Sequence, residues 1–476
     1  MNDLERPLVV DLDGTLIHSD LLVESALLAC EQQPSTLFAL PGWLGQGKAV
    51  LKRQLAERAE IDVASLPWNE PLLQWLREQR AAGRSLVLAT ASDIRYAEQV
   101  MSYLGCFDAV LTSENGHNLS AENKRAALVA RFGEGGYDYA GNSHDDLAVW
   151  RSAHQAIVVN APAGLQRKIN VPIAKVFQPQ AGRLRAWAKA LRLHQWLKNM
   201  LLFLPLLAAH RFDPASWLPA LLGFLVFGLC ASSVYLLNDL LDLPSDRQHP
   251  RKRLRPFAAG RLPTLHGALL APGLLLLALL LAFALSQPFA YTLLGYYGLT
   301  LAYSFRLKRI AMLDVLTLAG LYIIRIVAGA ALTAIQPSFW LLSFALFLFL
   351  CLAFLKRYTE LVDLRELKGQ QAKGRGFSAD DASLIAMQGS AAGYLAVLVL
   401  AFYINSREVW ALYQEPRWLW GICLLLLYWL NRSWWLAHRG KLHDDPVIYA
   451  VMDRGSRVVL LLVLGLLGLA SARYPG

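Results

Sequence analysis

Cysteine is scarce in this sequence. Five residues (Cys30, Cys106, Cys230, Cys351 and Cys423) stand alone, with no CxxC pair among them. Three of the five fall in long apolar runs, a spacing that argues against both a disulfide framework and a thiolate zinc site. Charge is also sparse: 17% of the 476 residues are charged against 55% hydrophobic, which excludes an ordinary soluble protein built on one core. The opening MNDLERPLVVDLDGTL lacks the positive charge and the apolar length of a signal peptide, so the N-terminal domain is expected to stay in the cytoplasm.

The charge that is present is split unevenly. Residues 1–180 hold 16 Lys/Arg against 21 Asp/Glu, whereas residues 181–476 hold 30 against 15. In the second part the basic residues sit between apolar runs such as Trp217 to Leu237 and Phe339 to Leu355. These runs are about long enough to cross a hydrocarbon layer of about 30 Å. That placement is the one expected of cytoplasmic loops, so the basic excess points to a membrane and not to nucleic acid.

The chain divides accordingly. Residues 1–180 alternate short β-rich runs (Leu8 to Val10, Leu86 to Ala89, Ala109 to Leu111, Tyr137 to Ala140, Ala156 to Val159) with helical segments. This alternation predicts a soluble α/β domain with a Rossmann-like parallel sheet. Helix-forming sequence alone fills about 16–83, which predicts a helical cap. A basic linker at 181–196 precedes 197–476, an all-α polytopic membrane bundle of about nine transmembrane helices near 198–210, 217–238, 264–285, 288–305, 312–334, 338–355, 384–405, 417–431 and 456–472. With the N-terminus inside, the loops on the cytoplasmic side hold 20 Lys/Arg and the opposite side, which includes the C-terminus, holds four. The ratio supports the count and the orientation.

In the first domain, Asp11-Leu12-Asp13-Gly14-Thr15 directly follows an apolar strand, which puts both carboxylates at the strand's C-terminal end, where open α/β sheets bind ligands. A carboxylate there can attack phosphorus, and a second acid two residues on can protonate the leaving oxygen. A plain strand-ending Asp-Gly turn is the alternative. Leu86 to Ser92 ends a second strand in hydroxyls, Lys124 opens a later helix, and Tyr139 to Asp146 ends a further strand in acids. In this order the four stretches resemble the haloacid-dehalogenase-like phosphatases over about 170 residues. The resemblance implies that Asp11 is the nucleophile and Asp13 the acid/base, that Thr90 and Lys124 hold the phosphoryl oxygens, and that Asp11, Asp13 and Asp146 bind Mg²⁺. Asn142 stands where many members carry another acid, which removes a negative charge near the metal and leaves a silent binding domain as the alternative.

In the second part, Asn238-Asp239-Leu240-Leu241-Asp242-Leu243-Pro244-Ser245-Asp246 ends the second span. Asp239 and Asp242 share a helix face, while Pro244 is expected to end or kink the helix and leave Asp246 in the loop. Three carboxylates at a membrane rim are costly unless they bind something positive, and Mg²⁺ with a phosphorylated substrate meets that need. A dense basic run follows, with Arg247, Lys252 and Arg255, and guanidinium forks beside metal-binding acids suit a diphosphate leaving group.

The segment Asn238 to Asp246 fits the NDxxDxxxD signature of UbiA-type membrane prenyltransferases, and the resemblance covers roughly 190–474. The run through Arg247, Pro250, Lys252, Arg255, Pro256 and Gly260 looks most like the branch that moves 5-phosphoribose from phosphoribosyl diphosphate to polyprenyl phosphate. His194 to Asn199, Tyr303 to Lys308, and Asp444-Asp445-Pro446 with Asp453-Arg454 are similar to that branch as well. Leu318 stands four residues after Asp314, where aromatic prenyltransferases usually have a second Asp.

The resemblance implies that Asp239, Asp242 and Asp246, with Asn238, bind the Mg²⁺ diphosphate. It further implies that Tyr303, Lys308 and Asp314 hold donor or acceptor and that Lys198 meets the lipid phosphate. Interfacial anchoring is the alternative for Lys198 and Lys308. Arg325 falls near the middle of a span, three turns after Asp314, so it is expected to face an interior cavity or to serve a structural hydrogen-bond role. The loop Lys356 to Phe377 is expected either to close over the substrate or to be simply solvated. A bifunctional enzyme follows: Mg²⁺-dependent phosphoribosyl transfer to a membrane lipid, then removal of the 5-phosphate. A prenyltransferase using polyprenyl diphosphate is the rival.

Overall fold

A computed structural model describes residues 5–113, 119, 121–178, 182–366, 376–442 and 446–471. The chain packs as two compact units, Met1–Leu191 with Tyr235–Pro272, and Arg192–Val234 with Gly273–Gly476. The segment that carries the acidic signature therefore belongs to the first unit.

The first unit is built on six strands: β1 (Leu8–Val10), β2 (Leu86–Asp93), β3 (Ala109–Ser113), β4 (Asp138–Gly141), β5 (Ala156–Val159) and β6 (Ile173–Phe177). They lie in the order β3-β2-β1-β4-β5-β6, and every pairing is parallel. Five of them coincide with the β-rich runs. The sixth, Ile-Ala-Lys-Val-Phe, is an edge strand whose first three residues are exposed, so it has no apolar run to announce it. Leu8 and Val10 pack into one core with Leu86, Leu88, Ile157 and Val159, whereas Val9 packs into the opposite one with Val87, Ala89, Tyr139 and Val158. This period of two, apolar on both faces, is what a sheet covered by helices on both sides requires. From β1 the chain passes to β2 on one side and, after β3, crosses to β4 on the other. The carboxyl end of β1 thus lies at the switch point where such sheets hold ligands.

Between β1 and β2 stand the helices Leu21–Gln32, Thr36–Gly45, Lys48–Ala56 and Glu70–Ala81. Ala29, Leu51, Leu55 and Ala59 form a small core of their own. The last helix instead sends Leu72, Leu73 and Leu76 into the sheet's core. Asp20 caps the first helix, accepting from the backbone N–H of Leu22 and Val23 at 2.9 and 3.2 Å.

Six helices among the described residues are long and apolar enough to cross a membrane: Pro214–Leu241, Thr264–Leu285, Leu313–Thr333, Phe339–Val362, Ala379–Ile404 and Arg454–Ser471. Nine were expected. The stretch at 198–210 is a 3₁₀ segment, Leu193–Phe203, followed by the short helix Leu204–Ala208, whose first turn accommodates Pro205. The stretches at 288–305 and 417–431 do form helices, Gln287–Phe305 and Trp420–His438, each of 19 residues, but neither belongs to the set of six. Polar and aromatic side chains such as Thr292, Tyr296, Asn431 and Arg432 dilute them. Leu460, Leu461 and Leu464 on the last helix are more than half exposed, as a lipid-facing surface requires.

Two further expectations change. The helix Phe339–Glu366 continues well past residue 355, so Lys356, Arg357, Tyr358 and Glu360 are helical instead of opening a loop. Residues 367–375 of the expected loop lie outside the described residues. Within the second unit, a Cβ at Gly329 would strike the carbonyl of Leu202, so only glycine lets the segment Leu193–Phe203 pack this closely on the helix Leu313–Thr333.

Candidate functional site

At the end of β1 the buried Asp11 accepts at Oδ1 from Lys124 Nζ at 2.6 Å and at Oδ2 from the Thr15 hydroxyl at 3.3 Å. Lys124 stands in the first turns of the helix Ala121–Phe132 and also donates to the Tyr139 hydroxyl at 3.0 Å. Tyr139 in turn donates to Asp146 Oδ1 at 2.7 Å. Asp146 Oδ2 accepts from the backbone N–H groups of Asn142 and Ser143, both at 2.9 Å. Asp13 points elsewhere: its Oδ1 takes the N–H of Leu21 at 2.8 Å and its Oδ2 the hydroxyl of Ser92 at 2.7 Å.

The structure thus brings Asp11, Lys124 and Asp146 together through Tyr139. Thr90 is fully buried inside β2, where its hydroxyl accepts from Ser92 N–H. Asn142 lies against the backbone of Gly14, whose φ of +76° and lack of a side chain make the room.

Burial raises both acids, and Asp11 has a lysine against it. Burial pushes the Asp11 carboxyl up to about 6; Lys124 opposes the shift and the nearby Asp146 charge adds to it. Burial, with the charge of Asp20, pushes Asp13 up to about 7. Lys124 would be lowered by burial, but Asp11 and Asp146 outweigh that and raise it. A lysine-paired carboxylate next to an acid that keeps its proton close to neutral pH is an arrangement able to divide nucleophile from acid/base. Asp11 and Asp146, two mutually repelling buried carboxylates, offer the hard oxygen donors a divalent cation takes. Among the described residues no group of three or more His, Cys, Asp or Glu is gathered to hold a metal by protein ligands alone.

The second group lies where the helix Pro214–Leu241 ends. Asp242 stands at the N-cap position of the short helix Leu243–Gln248 without a side-chain cap hydrogen bond, and Pro244 fits the first turn without cost. Asp246 therefore sits on a helix and not in a loop. Asp239 and Asp246 are both buried, and one Arg255 nitrogen bridges them, at 3.2 Å to Asp239 Oδ1 and 2.6 Å to Asp246 Oδ2. Asp246 Oδ1 is buried with no hydrogen-bond partner, and burial pushes this carboxyl up to about 6 against the pull of Arg255. A free carboxylate oxygen beside a second carboxylate fits a hard cation. Lys252 is exposed nearby in sequence and Asn238 is half-buried. Arg247 is committed to protein: both its terminal nitrogens reach Glu24, at 2.6 and 2.8 Å.

In the second unit, Tyr303 donates to Asp314 Oδ1 at 2.8 Å. Arg357 holds both Asp314 oxygens, donates to the Tyr303 hydroxyl at 2.7 Å and pairs with Glu360 at 2.5 Å. Asp314 and Arg325 do share the buried face of one helix, yet their partners are separate. Arg325 donates to Asn199 Oδ1 at 3.1 Å, to the Leu321 carbonyl, and to the Tyr296 hydroxyl at 3.1 Å. It also lies over the rings of Phe227 and Tyr296, at 5.2 and 4.9 Å. Each of its donor nitrogens has a protein partner, which favours the structural role over a substrate cavity. Lys198 is buried with Nζ 5.6 Å from the centre of the Tyr322 ring, and Lys308 is half-buried. Asp444 and Asp445 lie outside the described residues, and Asp453 is held by Arg432 at 2.6 and 3.1 Å.

Sequence reasoning gave four of these residues no role. Tyr139 looks like an ordinary strand residue and Glu24 like a solvated helix charge. Ser92, at the hydroxyl end of its strand, and Arg357, the second residue past an apolar run, did carry a signal.

The model of the UbiA prenyltransferase family matches residues 199–471. The chain is also 37% identical over 460 residues, 95% of its length and 89% of the other's, to the uncharacterized protein y4nM of Sinorhizobium fredii. It is 38% identical over 191 residues to the decaprenyl-phosphate phosphoribosyltransferase of Mycobacterium tuberculosis. That match spans 39% of this chain and 63% of that protein. Among solved structures, a UbiA homolog from Archaeoglobus fulgidus bound to GPP and Mg²⁺ matches 60% of this chain and 99% of its own at 16% identity and a TM-score of 0.45. A substrate-bound phosphoserine phosphatase matches 36% of this chain and 92% of its own at 15% identity and a TM-score of 0.27. The chain belongs to the UbiA prenyltransferase family, an integral membrane family, and carries a parallel α/β domain ahead of the family region.

Proposed function

We propose that this protein transfers 5-phosphoribose from phosphoribosyl diphosphate to a polyprenyl phosphate, and that its N-terminal domain then removes the 5-phosphate from the lipid product. The observation that carries the transfer is the buried pair Asp239 and Asp246 under one guanidinium, with Asp246 Oδ1 left bare. Mg²⁺ bound by Asp239, Asp242 and Asp246 would neutralise the diphosphate leaving group. Arg255, Lys252 and Asn238 supply donors to its oxygens. Lys198, Tyr303, Lys308 and Asp314 serve donor or acceptor. Asp314 is neutralised by Arg357, and no second acid follows it at Leu318, which speaks against a second metal cluster there. The named similarity to a decaprenyl-phosphate phosphoribosyltransferase supports the choice of donor.

For the phosphatase step, an Asp11 oxygen attacks the phosphorus and the bond from phosphorus to the ribose O5 breaks. Asp13 gives its proton to that leaving oxygen. Water then attacks the aspartyl-phosphate, Asp13 takes the water's proton, and inorganic phosphate leaves. Thr90 and Lys124 are assigned to the phosphoryl oxygens, and Asp11 and Asp146 to Mg²⁺; Asp13, turned to Leu21 and Ser92, is kept for the proton and not for the metal. Both steps are assigned to the cytoplasmic face of a bacterial-type inner membrane.

The test uses membranes containing the protein, Mg²⁺, polyprenyl phosphate and phosphoribosyl diphosphate labelled in a ribose carbon. Label is expected in the extracted lipid, dependent on Mg²⁺. Label that stays in the aqueous phase, while polyprenyl diphosphate is consumed in the presence of an aromatic acceptor, would overturn the reading.

A further inference from the structure

The first unit joins the cap of the soluble domain to the acidic segment by one buried ion pair. Glu24 lies in the first turn of the helix Leu21–Gln32, and Arg247 is the residue after Asp246 on the helix Leu243–Gln248. Arg247 donates from one terminal nitrogen to Glu24 Oε2 at 2.8 Å and from the other to Oε1 at 2.6 Å. Its Nε donates to the carbonyl of Ala258 at 3.3 Å. The two side chains are 5% and 7% exposed. Such a fork-on-fork pair fixes orientation as well as distance. A guanidinium with all three nitrogens engaged in the interior is a fastening and not a phosphate ligand.

Other contacts of the same segment point the same way. Gly260, at φ +66°, passes so close to His18 that any Cβ there would collide with the His18 Cβ and crowd that of Pro67. Gln248 donates to Asp62 at 3.4 Å, Lys189 to the Leu254 carbonyl at 3.4 Å, and Trp187 meets Phe257 edge to face at 6.0 Å. Residues 247–260, the basic run itself, therefore rest on the soluble domain at both ends and on the linker helix Arg183–Ala190 in between.

The seating connects the two acid groups. The N–H of Leu21, which opens the Glu24 helix, donates to Asp13. At the other end, Asp246 precedes Arg247 in the chain and is bridged to Asp239 through Arg255. Glu24 stands between them, in contact with neither reacting centre. We propose that Glu24 is a positioning residue for the transferase: by holding Arg247 it sets the orientation of the helix Leu243–Gln248 and so presents Asp246 to the metal diphosphate. This deepens the reading that Asp239, Asp242 and Asp246 carry the diphosphate, and rests on it. The soluble domain then serves the transfer step as a rigid seat, independently of its own hydrolytic chemistry.

The experiment uses the full-length protein in membranes and two readouts. The first is the initial rate of ribose transfer against phosphoribosyl diphosphate concentration; the second is backbone hydrogen exchange of residues 243–260 with no substrate present. Glu24→Gln is expected to lower kcat/KM for transfer at least tenfold and to raise exchange in 243–260. The double variant Glu24→Arg with Arg247→Glu, which restores the pair with its charges exchanged, is expected to recover transfer to within about threefold of wild type. A Glu24→Gln protein that transfers at the wild-type rate overturns the proposal, as does a double variant no better than Glu24→Gln at equal abundance.

If Glu24→Gln fails to accumulate, Glu24→Asp decides. This variant keeps the charge one methylene short, so a reduced rate with raised exchange supports the positioning role and wild-type behaviour in both overturns it. Should the wild-type protein move no ribose, the reading of the donor has failed. The same variants are then measured with polyprenyl diphosphate, where an unchanged rate and unchanged exchange overturn the positioning role on its own account.

Discussion

The two acid groups of the first unit handle the same problem, buried carboxylates, by opposite means. At the end of β1 each acid has its own donors: a lysine and a threonine for Asp11, a backbone N–H and a serine for Asp13, a tyrosine and two backbone N–H groups for Asp146. At the end of the helix Pro214–Leu241 one guanidinium bridges two carboxylates, and Asp246 Oδ1 is buried with no hydrogen-bond partner. A sheet with its carboxyl ends gathered at a switch point supplies many fixed dipoles. A helix C-terminus supplies few donors, because its N–H groups bond internally and the groups left over are carbonyls. The first arrangement suits a covalent step that must be held in one geometry; the second suits a cation brought in with the substrate.

The sharpest way to break this comparison is to remove the nucleophile. Asp11→Asn is expected to lower phosphate release from the ribosylated lipid by about 10⁶-fold, the scale seen when a covalent nucleophile is deleted. A release rate within tenfold of wild type, measured with lipid labelled in the 5-phosphate, would contradict the assignment. At the other group, Asp246→Asn is expected to lower ribose transfer by about 10²- to 10³-fold, the scale of losing one electrostatic stabiliser. The rate should recover in part as Mg²⁺ is raised, which a purely structural role for Asp246 would not produce.

Arg357→Leu removes the guanidinium that balances the charge of the buried Asp314, a change on the order of 3–5 kcal/mol. It should appear as a lower melting temperature and lower membrane abundance, and adding Asp314→Leu should restore most of the loss. Arg325→Leu separates its two readings by the same measurements: a fall in abundance at near-normal specific activity is the expected outcome, since its partners are all protein groups. The smallest effect sharpens the comparison instead of breaking it. Asn142→Asp adds a negative charge close to Asp146 and is expected to reduce the Mg²⁺ needed for half-maximal phosphate release by roughly threefold, about 0.65 kcal/mol. Titration of activity with Mg²⁺ checks it.

Much of this was legible before any coordinates. The strand–Asp-x-Asp–Gly pattern, the lysine that opens a later helix and the acidic end of β4 each follow from local spacing, and their meeting follows from parallel topology. The acidic helix end could be read in the same way. Longer-range facts could not. Tyr139 bonds both Lys124 and Asp146 because β4 places its ring on that face, yet a tyrosine in a strand is ordinary. The helix that continues to Glu366 turns Arg357 back onto Asp314, which a reading that ends the span at its first charge cannot foresee. Glu24 and Arg247 lie 223 residues apart, and no local pattern joins them. The span count suffered from the opposite fault, since apolar composition alone does not separate an unbroken helix from the 3₁₀ segment Leu193–Phe203.

The central claim is that the two acid groups act in turn on one lipid. Phosphoribosyl diphosphate carrying one label in a ribose carbon and another in the 5-phosphate tests it directly, with polyprenyl phosphate and Mg²⁺, in wild-type membranes and in Asp11→Asn. The account predicts ribose label in the lipid in both, with the 5-phosphate label released as inorganic phosphate by the wild type and retained on the lipid by Asp11→Asn. Lipid that keeps both labels in the wild type, or phosphate release that ignores Asp11, would contradict it.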